Sequence, residues 1–281
     1  MENEDIEELR ELKERLVQQA IQLRDKLKNQ ESNGRQSLIN LDITSFSDDE
    51  KYKPSESRLN MYEAKLCEIS SQMTGILFKD VNKKWLHDDT YLYTAKVETK
   101  AVSFNLELTV NVKDSDDFKI ENLMCYFINI EDCYMLEISP WFEKITRTKK
   151  FSLLMSALSD YNDYSIFRSK ILHSLESQKY ARVEQYTKES GGVLIYICPP
   201  VDPKKSYLIF HWSMKFLDLT WHIEHFFIVK STDIGIEFSE ENRLLLKKFC
   251  KIGLTKNDLV NLWDDLCTSI ETYHARSTEY T

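Results

Sequence analysis

At 281 residues the chain is long enough for two domains of about 100 residues plus an extension, and 42% apolar with 12% aromatic residues suffices for real cores. Six glycines and five prolines are few for this length, which disfavours Gly-rich phosphate loops, β-rich secreted scaffolds and low-complexity tails. With 37 Lys and Arg against 46 Asp and Glu, a formal charge of −9 repels phosphate backbones and weighs against direct DNA binding, although a local basic patch is compatible with it. No apolar run reaches the length of a membrane span, and the start MENEDIEELR is too acidic for a signal or transit peptide. The expectation is a cytosolic or nuclear protein with no membrane partner. Six widely spaced cysteines without a CxxC pair should then be reduced and mostly buried.

Along the first segment, Ile6, Leu9, Leu12, Leu16, Ala20, Leu23 and Leu27 recur at steps of three and four, the spacing of one helix face. Glu, Arg, Lys and Gln between them are strong helix formers, and the acidic start suits the positive end of a helix dipole. The spacing predicts a coiled-coil helix over 1–29, of which about 25 helical residues at about 1.5 Å each make a rod roughly 37 Å long, with Asn33-Gly34 as its stop signal. The stripe Leu9, Leu12, Leu16, Leu23 and Leu27 is the candidate partner-binding surface; the alternative is a helix that folds back on the globular part. Residues 30–57, rich in Ser, Asn and Asp with Pro54, read as a linker, and Ser47-Asp48-Asp49-Glu50 within it resembles an acidic-directed phosphorylation site.

Two α+β units follow, expected over 58–148 and 149–281. In the first, Leu59, Tyr62, Leu66, Ile69 and Met73 have helical spacing and Gly75 is placed to end the helix. Ile76 to Val81 reads as a strand, Tyr91 to Val97 and Phe104 to Val112 alternate, and the continuously apolar Leu123 to Ile130 is expected at the sheet centre. Glu137 to Thr146 returns to helix. In the second unit Phe151 to Tyr180 reads helical, and Gly191-Gly192 permits a tight hairpin between Arg182–Tyr186 and Val193–Cys198. Tyr207 to Phe216 and Trp221 to Val229 form another hairpin. Helices over Glu240–Cys250 and Lys256–Tyr273 are separated at Gly253, with Thr255 and Asp258 spaced as a capping box.

No reaction centre stands out, and no cofactor or metal site is expected. His211, His222 and His225 are the one histidine cluster, but strand alternation points His222 and His225 to opposite faces, and no cysteine lies near to complete a zinc tetrahedron. Cys198, before Pro199-Pro200, lacks a base and an orienting group in its vicinity. Walker, Rossmann and serine-hydrolase signatures are absent. The basic run Lys144, Arg147, Lys149 and Lys150 reads as contact for an acidic partner or for DNA phosphates, or as solvated charge. The aromatics Trp212, Phe216, Trp221, Phe226 and Phe227 read as sheet core or as a binding platform.

Tyr62 to Ile76 (YEAKLCEISSQMTGI), Phe104-Asn105-Leu106-Glu107-Leu108, the stretch Phe142 to Tyr180 with Arg168, Leu172 and Leu175, and Phe249 to Cys267 (FCKIGLTKNDLVNLWDDLC) occur in a common order behind a heptad-like start. In that order the chain resembles the kinetochore proteins with paired RWD domains, and within them the centromere protein P family. The Tyr-Pro signature of generic RWD domains is missing, and no His-Pro-Asn precedes a cysteine, so ubiquitin-conjugating activity is not implied. The resemblance implies two RWD-like domains in a non-enzymatic subunit of the inner kinetochore, in the nucleus at centromeres. Implied partners are a centromere protein O-like subunit as heterodimer mate and centromere proteins Q, U and R. A centromere protein O-like sister subunit, another RWD adaptor, and a cysteine- or metal-dependent enzyme on a related fold are the competing readings.

Overall fold

The computed structural model describes residues 65, 67–114 and 117–279. The expected coiled-coil helix with its stripe Leu9, Leu12, Leu16, Leu23 and Leu27, the linker and the Ser47 motif lie outside the described residues. The described residues all belong to one compact unit. Within it two four-stranded antiparallel sheets and their helices make an α+β fold.

The first sheet follows a helical segment, 67–74, that stops where Gly75 takes φ +68 and its N–H returns to the Ser71 carbonyl. A Cβ there would lie 2.5 Å from Asn162 Nδ2, so close approach as well as the positive φ requires glycine. Strands β1 (Leu77–His87), β2 (Thr90–Glu98), β3 (Ser103–Asp114) and β4 (Asp117–Phe127) then run as a meander in sequence order. Alternation in β3 points Phe104, Leu106 and Val110 inward, where all three are buried. The apolar strand expected at the sheet centre is instead β4, at the edge. Its run is apolar on both faces because Met124 and Tyr126 sit on the exposed side while Leu123 packs inward.

Helix α1 (Asp132–Arg147) starts five residues before the expected Glu137, and α2 (Phe151–Ser177) follows after a short turn. The second sheet is β5 (Ala181–Gln185), β6 (Val193–Ile197), β7 (Leu208–Leu217) and β8 (His222–Ser231), again in sequence order. Its first connection, 186–192, is longer than the tight hairpin expected. Gly191 and Gly192, at φ +64 and +92, press that loop against α1, where the Gly192 N–H meets the Cys133 carbonyl at 3.0 Å. A Cβ on Gly191 would come within 2.1 Å of the same carbonyl. Trp221 lies in the β7–β8 turn rather than in a strand. Helices α3 (Ile236–Glu241), α4 (Arg243–Phe249) and α5 (Lys256–Glu279) close the chain. The capping box at α5 forms as expected: Asp258 N–H donates to Thr255 Oγ1 at 3.1 Å and Thr255 N–H to Asp258 Oδ2 at 3.0 Å.

Two apolar clusters share α2. Leu154, Ala157, Leu158 and Tyr161 from its first half pack with Phe104, Ile138, Phe142 and the first sheet. Leu172 and Leu175 from its second half pack with Trp212, Phe227, Leu259 and Trp263. The far end of the β7–β8 hairpin, through Met214 and Ile223, belongs to the first cluster. Residues 148 and 149 lie in the α1–α2 turn, and the two cores meet along α2.

Candidate interaction site

Between the two cores lies a charged network. Arg168 on α2 is 1% exposed and Glu137 on α1 4% exposed, and they join by two parallel bonds of 2.7 and 2.9 Å. Tyr161 O–H donates to Glu137 Oε2 at 2.8 Å, and the Met214 N–H donates to Oε1 at 2.9 Å. Strand β6 begins at Val193, opposite Trp212, so β7 has no β6 residue beside Met214 and the Glu137 carboxylate accepts that backbone donor instead. Burial opposes the Arg168 charge, but Glu137 outweighs it and holds the guanidinium above its ordinary value. Burial, with Glu137 alongside, pushes the Tyr161 phenol well up. Every group in this network is engaged by another, so it locks three elements together and offers no free acid or base.

The three candidate histidines occupy three separate environments. His211 Nε2 meets the Gly191 carbonyl at 2.7 Å, and exposed His222 meets Asp160 at 3.2 Å. His225 is buried, and its Nδ1 accepts the Trp212 indole N–H at 3.1 Å. Among the described residues no group of three His, Cys, Asp or Glu is placed to hold a metal ion. The expectation of mostly buried cysteines is corrected: Cys133 and Cys198 are buried, Cys125 and Cys267 half-buried, and Cys67 and Cys250 exposed. Cys67 lies on an outward helix face and Cys250 in the turn that ends α4, rather than in the core. Burial raises the Cys133 and Cys198 thiols and pushes Cys125 and Cys267 up to about 12, away from the reactive thiolate.

The candidate aromatics divide by face. Trp212 and Phe227 are core, and Phe216 is partly buried against Trp141. Phe226 looks outward, on the side of the second sheet away from its helices. Register aligns Leu194, His211 and Ile228 in one row there, with Tyr196 and Ile209 in the next and Ser213 beside Phe226. The result is a contiguous outer face of Leu194, Tyr196, Ile209, Phe226 and Ile228, half-buried or exposed. Arg182 stands 4.6 Å from the Tyr196 ring centroid and Lys215 3.8 Å from that of Phe226, and Glu184, His211, Lys230 and Glu224 share the same rows, so the apolar side chains are interspersed with charge. Antiparallel sheets with one solvated face alternate apolar and polar residues; β6, with the sequence VLIYI, does not. In the first sheet the outer rows are more polar, Asn82, Thr94 and Glu107 ending in Met124, and Lys79, Lys96 and Asn105 ending in Tyr126, so its exposed apolar side chains are confined to β4 in these rows. The outer face of the second sheet is therefore the candidate site.

The basic run is partly engaged. Lys144 pairs with Asp218 at 2.7 Å, Arg147 with Glu143 at 3.3 Å, and Lys150 lies 4.8 Å from the Trp221 ring centroid. Among the described residues no helix is long and apolar enough to cross a membrane. No protein-family model matches the chain, and no curated protein matches it.

Proposed function

We propose that the protein is a non-enzymatic structural adaptor of the inner kinetochore, a tandem RWD subunit of the centromere protein P kind that pairs with a centromere protein O-like subunit. Centromere proteins Q, U and R would join that pair, at centromeres in the nucleus. The observation that supports an adaptor is the outer face of the second sheet, where Leu194, Tyr196, Ile209, Phe226 and Ile228 form a row pattern suited to burial and no helix of the described chain covers them. Apolar patches of this kind mark contact surfaces more often than they mark solvated ones. The fold, two helix-backed meanders on one shared helix, is compatible with paired RWD domains, and the buried charges and thiols are arranged to hold it rather than to react. The test is co-expression with a centromere protein O-like subunit, comparing the wild type with the double variant Phe226→Glu, Ile228→Glu. Both positions face outward, so the variant should keep its circular dichroism spectrum and lose the complex. Undiminished complex formation by the folded variant, or diffuse signal from the tagged protein in dividing cells, defeats the reading.

A further inference from the structure

We propose that the tip of the β7–β8 hairpin, together with the α1–α2 turn beside it, docks an acidic segment of a partner protein that carries an apolar side chain. The site is separate from the outer face of the second sheet and stands on other observations. At the tip Leu219 is 99% exposed and Trp221 53% exposed. Trp221 also adopts φ +60, closing the turn through its N–H to the Leu217 carbonyl at 2.8 Å. That left-handed conformation is disfavoured for an L-residue with a side chain and open to glycine. The turn thus holds a large indole in a conformation it disfavours and presents it, with a leucine, to water. Backbone strain and exposed apolar surface both oppose stability, and residues retained against stability cluster where a protein makes contact.

Around this knob lies an excess of positive charge. Lys150 lies against the Trp221 ring, and Lys144 ties the α1 end to Asp218 in the same turn. Asp218 and Glu143 each answer one cation, whereas neither Lys149 nor Lys150 meets a carboxylate among the described residues. In a chain of formal charge −9 such a local cationic surface selects an acidic partner. A groove of about 330 Å3 opens alongside, with Leu136, Pro140, Trp141 and Phe216 in its walls; Lys144 and Lys215 but also Glu137, Glu189 and Asp218 line it, so it offers room for the apolar side chain while the acidic preference comes from Lys149 and Lys150 on the turn. Trp141 is almost fully buried, and its indole N–H has no acceptor within the protein. An apolar side chain flanked by carboxylates matches that combination, with the knob reaching into the partner as the partner reaches into the groove. A nucleic acid matches it less well, because two unpaired lysines neutralise few phosphates and the rest of the chain repels them.

The test uses the full chain and fluorescence anisotropy with a labelled synthetic peptide of Glu and Asp interspersed with Leu and Phe. Controls are the same peptide with Lys in place of the acids, a short DNA duplex, and phosphatidylserine vesicles. The acidic peptide should bind saturably and more weakly as salt rises from about 50 to about 200 mM. Leu219→Glu and the pair Lys149→Glu, Lys150→Glu should each weaken it about tenfold or more. Trp221→Gly is the decisive variant: relief of the positive φ should leave its melting temperature equal to or above that of the wild type, while binding weakens to a similar degree. Equal binding of acidic and basic peptides, absence of saturable binding, or unchanged binding by Trp221→Gly overturns the proposal. Preference for the duplex or the vesicles over the acidic peptide overturns it as well, by assigning the cations to phosphate.

Discussion

Neutral His225 keeps its place in the second core because its Nδ1 can accept the Trp212 indole N–H, which a protonated ring could not do. Burial lowers its pKa from 6.5 to about 3, and the positive charges of Arg168 and Lys256 add to that shift. The unfolded chain therefore takes up a proton below pH 6.5 that the folded chain refuses. Stability is complete above that value and is lost as pH falls toward 3, by at most about 1.4 kcal/mol per pH unit. Denaturant titrations across this range should show the slope, and His225→Phe should flatten it while lowering stability at neutral pH, because the Trp212 N–H loses its acceptor. Glu137 and Arg168 provide a second case. Glu137→Gln removes the charge but preserves the shape, leaving the Arg168 guanidinium buried without a counter-ion. A loss of about 3–5 kcal/mol is expected for such a break, read as a fall in melting temperature. Substituting both residues by apolar ones of similar size should cost less than either single change. The pair was legible in principle: Arg168 stands seven residues from both Tyr161 and Leu175 and four from Leu172, so it lies on the apolar stripe of its helix. A charge on such a stripe must meet another charge, but only the three-dimensional packing shows that α1 brings Glu137 to it.

Among the elements, those whose signal is local were readable. Gly75 ends its helix in the left-handed conformation, and Thr255 and Asp258 exchange their hydrogen bonds. Strict alternation located β3. The end of α2 was expected at Tyr180 but falls at Ser177 because Lys179 takes φ +65. The Tyr180 N–H reaches back to Leu175 and the Lys179 N–H to Glu176, a Schellman closure normally signalled by glycine. Lysine gives no such signal, hence the overrun. It also leaves the closure suboptimal. Lys179→Gly should stabilise the protein by about 0.5–1 kcal/mol, measured by urea denaturation, and an unchanged or lower midpoint would contradict the argument. The edge position of β4 was unreadable for a different reason. Continuous apolarity usually signals two covered faces, and sequence alone cannot separate a strand covered by its own chain from one awaiting cover. The same ambiguity hid the outer face of the second sheet, where VLIYI reads as core although Leu194 and Tyr196 look away from the helices.

At the scale of the molecule, α2 decides whether the two sheets behave as two domains or one. Its first half supplies Leu154, Leu158 and Tyr161 to one core and its second half Leu172 and Leu175 to the other, so neither sheet has a full complement of packing partners without it. The Glu137–Arg168 pair and the Met214 N–H, drawn from both sides, sit at the crossover. Equilibrium unfolding should accordingly be a single transition, with fluorescence and circular dichroism coincident. A sharper test is Ser169→Pro. Ser169 is exposed on α2, so its side chain contributes nothing to either core. Proline there removes one backbone hydrogen bond and clashes with the carbonyl one turn earlier, costing about 3 kcal/mol or more. If the two cores are coupled through α2, amide hydrogen exchange should accelerate by the same factor in β3 and in β7, on opposite sides of the substitution. Two independent domains would respond otherwise: β7, whose core holds the second half of α2, would exchange faster, while β3 would keep its wild-type protection. That unequal response would refute a single cooperative unit and leave α2 as a linker between separately stable halves.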